Sequence, residues 1–476
     1  MGVRRIHATD LAEALRGDLP GSAVSQGEPT SDFGGLAQSH PGAIVTVRSE
    51  EELGSVLEFA RTRDVAVGMQ GRGHSCGGQS LVDSAGILLH NRIKEDPVLL
   101  SDDEVELTSG LQWQEVEADL AQWGRSVPVT TDVLQLSVGG TLSVGGYGTD
   151  SVQLGGQIDH VTALKIITAD GATHWCSPSS NPQLFRMALA GTGRVGYIVR
   201  VRMRTSAIHV QLRRATYHYD SLISLADSMA WLADPQTPAP PYLRARSDAP
   251  DREGRVSYGD YPYDEAIGQM PPRERLGTLE DVQSLLGQPQ VIENRGLPRF
   301  YDHVNVNRWV AKLPNAYNLW TDFGFQYPAF RQFCEHIQRQ SKDGAFGSAL
   351  RAVHILGVSP SADDNDYFPF DLRPTGKGRT FTCGLYCMLP SADETDLARL
   401  RAAIDTCLQV TAELGGRPYV YGYDEMSRGM WERSFGQEAV AGLVKLREEH
   451  DPAGLIAAPW DRTTNSVSAP QRRIGA

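Results

Sequence analysis

Two glycine-rich stretches hold the residues best suited to chemistry. The first, GMQGRGHSCGGQS (68–80), sets His74 among glycines, with Ser75 and Gln79 close behind. Glycine lets backbone N–H groups come close to a ligand and adopt positive φ without steric cost. Several such N–H groups in succession form a nest for phosphate oxygens. The second, TTDVLQLSVGGTLSVGG (130–146), carries Asp132 ahead of two glycine pairs. A neutral imidazole is a nucleophile near pH 7, and a carboxylate is a general base. Neither residue is decisive alone. His74 could simply hydrogen-bond within a turn, and Asp132 could cap the turn after VPVTT. No G-x-G-x-x-G opens a helix behind the first loop, so the dinucleotide fingerprint is not met.

The surrounding pattern supplies elements to hold these loops. AIVTV reads as a strand, and SEEELGSVLEFARTR as a helix capped by Ser49 with Glu52 three residues on. VAVGMQ is a strand leading into the first glycine stretch, and GILLH and EVELTSG are further strands. QWQEVEADLAQWG is an amphipathic helix ending at Gly124. ALKIITADGATHW reads as a β-hairpin turning at ADG, and NPQLFRMALAGTGRVGYIVRVRMRT as a helix, a glycine turn and a strand. After about residue 205 the texture changes, and 236–300 is rich in proline and charge. Residues 206 to about 415 read as a second α+β domain, where substrate contacts are expected. The tail from GRPYVYGYDE to AAPW reads mostly as one helix ended at HDP.

Bulk properties narrow the function classes. With 476 residues the chain is too long for one ordinary core, so two domains are expected. Its formal charge of −13 disfavours phosphate backbones, and no basic patch for nucleic acid is evident. No apolar run approaches bilayer length, and the N-terminal stretch lacks the apolar core of a signal peptide, which points to the cytoplasm. The six cysteines are scattered and read as free thiols. Cys383 and Cys387, in RTFTCGLYCML, fit one face of a strand, and no metal site is expected.

Gly71-Arg72-Gly73-His74-Ser75 with Gln79, then Thr131-Asp132-Val133-Leu134 and Val138-Gly139-Gly140-Thr141-Leu142-Ser143, resembles the vanillyl-alcohol-oxidase-type (PCMH-type) FAD-linked oxidoreductases. Within them the motif is closest to cytokinin dehydrogenases. The likeness runs from about 40 to 205, fades through the second domain, and returns at WERSFG and HDPAGLIAAP. It implies an α+β fold of two domains. Residues 1–205 (core about 38–205) and the returning segment 416–476 would bind FAD, and 206–415 would form an inserted α+β substrate domain.

The resemblance further implies that the first loop holds the FAD pyrophosphate and that His74 bonds covalently to the 8α-methyl of the flavin. Asp132 would be the catalytic base. Further cofactor contacts carried over by position are Gly71, Arg72, Gly73, Ser75, Gln79, Thr131, Ser137, Gly139, Gly140, Ser143, Tyr147 and Ile198. Ser137 stands where the family has threonine, and Tyr147 where it has an aliphatic residue. Some relatives add a second flavin bond through a cysteine, but Val133 occupies that position here, so one link is expected. The C-terminal turn departs from the family, with Trp460-Asp461 in place of Gly-Gln. In the second domain Asn318 is kept, and Tyr421 and Tyr423 resemble a tyrosine near the flavin.

The leading expectation is an FAD-dependent oxidase or dehydrogenase acting on a secondary amine, with an oxygen or quinone-like acceptor. An alcohol, sugar or secondary-metabolite tailoring oxidase on the same fold is the alternative. A flavin-binding protein without turnover is the non-enzyme alternative, disfavoured by the presence of both His74 and Asp132.

Overall fold

A computed structural model of the chain describes residues 10–82, 85–209, 211–261, 277–296, 316–361, 367–390, 394–457 and 459. The first half builds two sheets. Strands Ala43–Val47 and Val67–Gln70 both run parallel to Ile87–Asn91, with Ala23–Gln26 antiparallel at the edge. Parallel pairing demands a crossover, and the helix Glu50–Arg63 supplies it between the first two strands. Ser49 caps that helix by accepting from the Glu52 N–H, while the Glu52 carboxylate turns back to the Arg48 N–H, one residue earlier than a capping box places it. The helix buries Leu53, Val56, Leu57 and Ala60 against this sheet.

The second sheet is antiparallel, with strands in the order Thr173–Cys176, Val161–Ile167, Tyr197–Arg204, Glu104–Thr108, Val98–Ser101. The expected ADG hairpin is its edge pair. Against this sheet, the second glycine stretch folds as the short helix Val138–Leu142.

The second half contributes a nine-stranded sheet. Its path runs Val291–Gly296, Gln211–Tyr219, Glu253–Asp260, Tyr242–Ala249, Leu350–Ile355, Thr380–Leu389, Tyr317–Gln326, Arg417–Pro418, with Gly357–Val358 off the path. The strand over RTFTCGLYCML is central, and Cys383 and Cys387 are both buried. Helices Ala329–Lys342 and Glu394–Glu413 bury Phe330, Phe333, Ile337, Ile404 and Cys407 in the same core.

The tail differs from the expected single helix. It forms two, Arg428–Phe435 and Gln437–His450, broken at Gly436, whose φ of 92° ends the first helix in a conformation other residues resist. Trp460 and Asp461, part of the departing C-terminal turn, lie outside the described residues. The tail returns to the first half: the Val67 N–H donates to Leu455 O, and the Cys76 N–H to Tyr421 O. No helix among the described residues is long and apolar enough to cross a membrane.

Candidate active site

The first glycine loop leaves strand Val67–Gln70 and is fixed from three directions. Asp32, itself buried, accepts from the Gly78 N–H at 2.5 Å and from Ser75 Oγ at 3.3 Å. Gln79 spends its amide on the tail, donating to Val420 O at 3.1 Å and Gly422 O at 2.7 Å. Arg194 donates to Gln79 O at 2.8 Å. Gly73 sits at φ 66°, and a Cβ there would come within 2.9 Å of Gln70 Nε2, so the turn that presents His74 requires glycine.

The second glycine stretch packs against the first through Ser137. A Cβ on Gly71 would lie 2.2 Å from Ser137 Oγ, and one on Gly140 2.9 Å from the same atom. The serine hydroxyl therefore occupies the seam between the two loops, and both glycines are needed for that approach.

His74 stacks on Phe33 with centroids 4.2 Å apart and planes 13° apart, and meets the Trp320 ring edgewise at 5.8 Å. Its Nε2 is buried with no hydrogen-bond partner. Burial pushes the imidazole down to about 4. A neutral ring with an unsatisfied nitrogen is costly to bury unless something else meets it.

Asp132 is brought from the first half of the chain to the nine-stranded sheet. Its Oδ2 lies 3.2 Å from Nε2 of His354, and both side chains are largely buried. One face of the sheet continues from there. His354 stands opposite Gly384, which stands opposite Asp322, and Trp320 stands opposite Tyr386. Trp320 stacks on Tyr386 at 4.5 Å, and Tyr386 on His354 at 5.5 Å. Tyr421 donates to Asp322 at 2.6 Å. Burial raises the Asp322 carboxyl to about 6; the Tyr421 hydrogen bond and the nearby His354 oppose the rise, and Asp132 adds to it.

Every residue singled out from the sequence as catalytic or cofactor-binding lines one cleft: Gly71 to Ser75, Gln79, Thr131, Asp132, Ser137, Gly139, Gly140, Ser143, Tyr147 and Ile198. The Tyr147 hydroxyl is committed to Asp371, so it offers the cleft its ring. Of the two tail tyrosines, Tyr421 lines the cleft; Tyr423 does not, and donates to Glu425. Asn318 is not a lining residue either. It holds the Phe33 loop, donating to Phe33 O and, through its backbone, to Gly34 O.

Arg194, Trp320, Asp322, His354 and Tyr386 also line the cleft and carry no mark in the glycine motifs. Asp322 and His354 had one signal. Each is an ionisable residue on a mostly apolar strand, YNLWTDFGF and LRAVHI, and a buried polar residue there calls for a partner.

The cleft suits FAD. The glycine loop with Arg72 and Arg194 offers N–H groups and positive charge to a diphosphate, and the unpartnered His74 Nε2 offers a nucleophile. A family described as FAD binding domain matches residues 41–177. The chain is 30% identical over 460 residues to cytokinin dehydrogenase 1 of Oryza sativa subsp. japonica, covering 90% of this chain and 79% of that protein. This chain belongs to the vanillyl-alcohol-oxidase-type FAD-linked oxidoreductases.

Two further relatives are similar to this FAD-linked oxidoreductase. An uncharacterized oxidoreductase, ORF5 of the fasciation locus of Rhodococcoides fascians, is 26% identical over 438 residues, covering 90% of this chain and 94% of that protein. Cytokinin dehydrogenase 2 of Arabidopsis thaliana is 32% identical over 197 residues, 41% of this chain and 39% of that protein.

Proposed function

We propose that this FAD-linked oxidoreductase oxidises the C–N bond of a secondary amine, with FAD tethered through His74 and Asp132 as the base. Bound FAD supplies the acceptor for the hydride that leaves the carbon. Asp132 takes the proton from the amine nitrogen as the C–H bond breaks, leaving an imine that water can hydrolyse. His354 steadies the carboxylate, and Trp320 and Tyr386 offer flat apolar surfaces to an unsaturated substrate. Residues 1–205 and 416–476 form the cofactor half in this reading, and 206–415 the substrate half.

The observation that carries the proposal is the lodging of His74 and Asp132 in one cleft. The likeness to proteins named as cytokinin dehydrogenases supports an amine donor over an alcohol. Asp132→Asn tests it. Turnover should fall by about 10²–10⁴, the scale of a lost general base, while flavin content and visible spectrum stay those of the wild type. Unchanged turnover would remove Asp132 as the base.

A further inference from the structure

Among the described residues two carboxylates line the cleft, Asp132 and Asp322, and amine oxidation employs only the first. Asp322 is 6% exposed, on the strand Tyr317–Gln326. A carboxylate placed so deeply is costly unless it is paired. Its Oδ2 accepts from the Tyr421 hydroxyl at 2.6 Å, and no hydrogen bond from the described residues reaches Oδ1. Backbone contacts hold Tyr421 beside it from both sides, since the Tyr419 N–H donates to Asp322 O and the Tyr423 N–H to Trp320 O.

Sheet register aims the open oxygen toward Asp132. Asp322, Gly384 and His354 stand directly opposite one another on three neighbouring strands, and residues so placed share a face. A Cβ on Gly384 would lie 2.1 Å from Asp322 Oδ1, so that oxygen overhangs the glycine in the direction of His354. His354 in turn faces Asp132, at 3.2 Å. Strands lie about 4.8 Å apart, so Asp322 and His354 are rooted roughly 10 Å apart with only a glycine between them. Asp132 and Asp322 therefore approach one gap from opposite ends. The Tyr386 ring, stacked on Trp320, borders it: its Cε1 would lie 3.2 Å from the same Cβ. Burial raises the Asp322 carboxyl to about 6, so near neutral pH it is an anion still basic enough to take a proton from water.

We infer that Asp322 is a second catalytic residue, the general base that adds water to the imine, so that hydrolysis is completed inside the cleft. The inference rests on the proposed function for the imine itself. Oxidation leaves one proton on Asp132. Water then forms a bond to the imine carbon as the C=N π bond breaks. Asp322 takes one proton of that water, and the nitrogen takes the proton held by Asp132. In the carbinolamine so formed the C–N bond breaks as the C=O bond is completed. The hydroxyl proton passes to Asp132, and the departing amine takes the proton from Asp322. Imine and water have become a carbonyl compound and an amine, Asp322 is again an anion, and Asp132 again holds the proton of the oxidation step. Water is the only co-reactant.

The test gives the flavin-loaded protein N-cinnamylaniline, a secondary allylic amine, and quenches in borodeuteride, which places deuterium on the carbon of any surviving imine. Wild type should release cinnamaldehyde and aniline with little labelled amine. Asp322→Asn, close to isosteric, should accumulate imine, its hydrolysis slowed about 100-fold, the lower end for a lost general base. Anaerobic bleaching of the flavin band should slow far less. An equal fall in both steps would mark a structural role and overturn the inference, as would labelled amine no greater than in wild type. A second measurement follows hydrolysis of the preformed imine of cinnamaldehyde and aniline by the same proteins. Wild type should accelerate it over buffer, and Asp322→Asn should not. Tyr421→Phe keeps the carboxyl and removes its donor, so it should slow the hydrolysis about tenfold, the scale of one hydrogen bond to a charged group; it carries the test if Asp322→Asn fails to fold. Acceleration that neither variant diminishes would overturn the inference. Hydrolysis of the imine without oxidation of the amine would retire the proposed reaction and leave Asp322 its role. Oxidation of the amine with imine hydrolysed no faster than in buffer would do the reverse.

Discussion

Nε2 of His354 lies 3.2 Å from Oδ2 of Asp132, although more than two hundred residues separate them in the chain. The contact joins the start of the second glycine stretch to the nine-stranded sheet. It makes His354 a positioning residue for the proposed base, with a ring held in turn by the stacked Tyr386.

His354→Gln should therefore lower kcat by roughly 10- to 100-fold, the scale of a misplaced catalytic group, with flavin content unchanged. The acid limb of the kcat/KM profile should move, because the imidazole 3.2 Å from the Asp132 carboxylate is gone. A profile that superimposes on the wild type after scaling would reduce His354 to a packing role.

His74→Ala should release the flavin from covalent attachment. Acid precipitation of wild type should leave a yellow pellet, and of the variant a colourless one. Because burial holds the His74 imidazole at about 4, the ring is neutral above pH 5, and the extent of attachment should not vary between pH 5.5 and 8. A yellow pellet from His74→Ala would show that another residue carries the bond.

Glu117 sets a pH dependence of stability. It is fully buried, accepts from Ser126 Oγ and the Val127 N–H, and burial raises its carboxyl from 4.5 to about 7. The unfolded chain loses this proton first. Between those values the folded state holds more protons, and stability falls as pH rises, by at most about 1.4 kcal/mol per unit. Glu117→Gln should flatten that slope. Urea unfolding at pH 5 and pH 8 reads it: the variant should gain on the wild type at pH 8, and an equal difference at both pH values would exclude the assignment.

Arg373 is fully buried and ties the strand-linking segment of the second half to the first. It donates to both oxygens of Asp159 at 2.7 and 3.0 Å and to Asp371, which also accepts from Tyr147 in the cleft wall. Breaking such a cluster leaves two buried carboxylates without their cation. Arg373→Met should cost about 3–5 kcal/mol, read as a lower urea midpoint. A change below 1 kcal/mol would mean that water reaches the cluster.

The glycine-loop side of the cleft was legible because its determinants are local. His74, Gly73 and the Asp132–Ser143 run are contiguous motifs whose backbone geometry is fixed by glycines within a few residues. The strands and the Glu50–Arg63 helix followed from apolar period and capping for the same reason. The tail departs from a single helix at Gly436, since its apolar pattern continues across a break that one residue's φ decides.

The sheet side of the cleft belongs to the tertiary structure. Asp322, His354, Tyr386 and Arg246 sit on four strands, and only sheet register makes them neighbours on one face. No local spacing encodes that register. By itself the sequence determined a glycine-rich loop, its histidine and a carboxylate to accompany it. The pairing of strands decided what stands across from that carboxylate, because side chains far apart in the chain meet only once backbone hydrogen bonds align them.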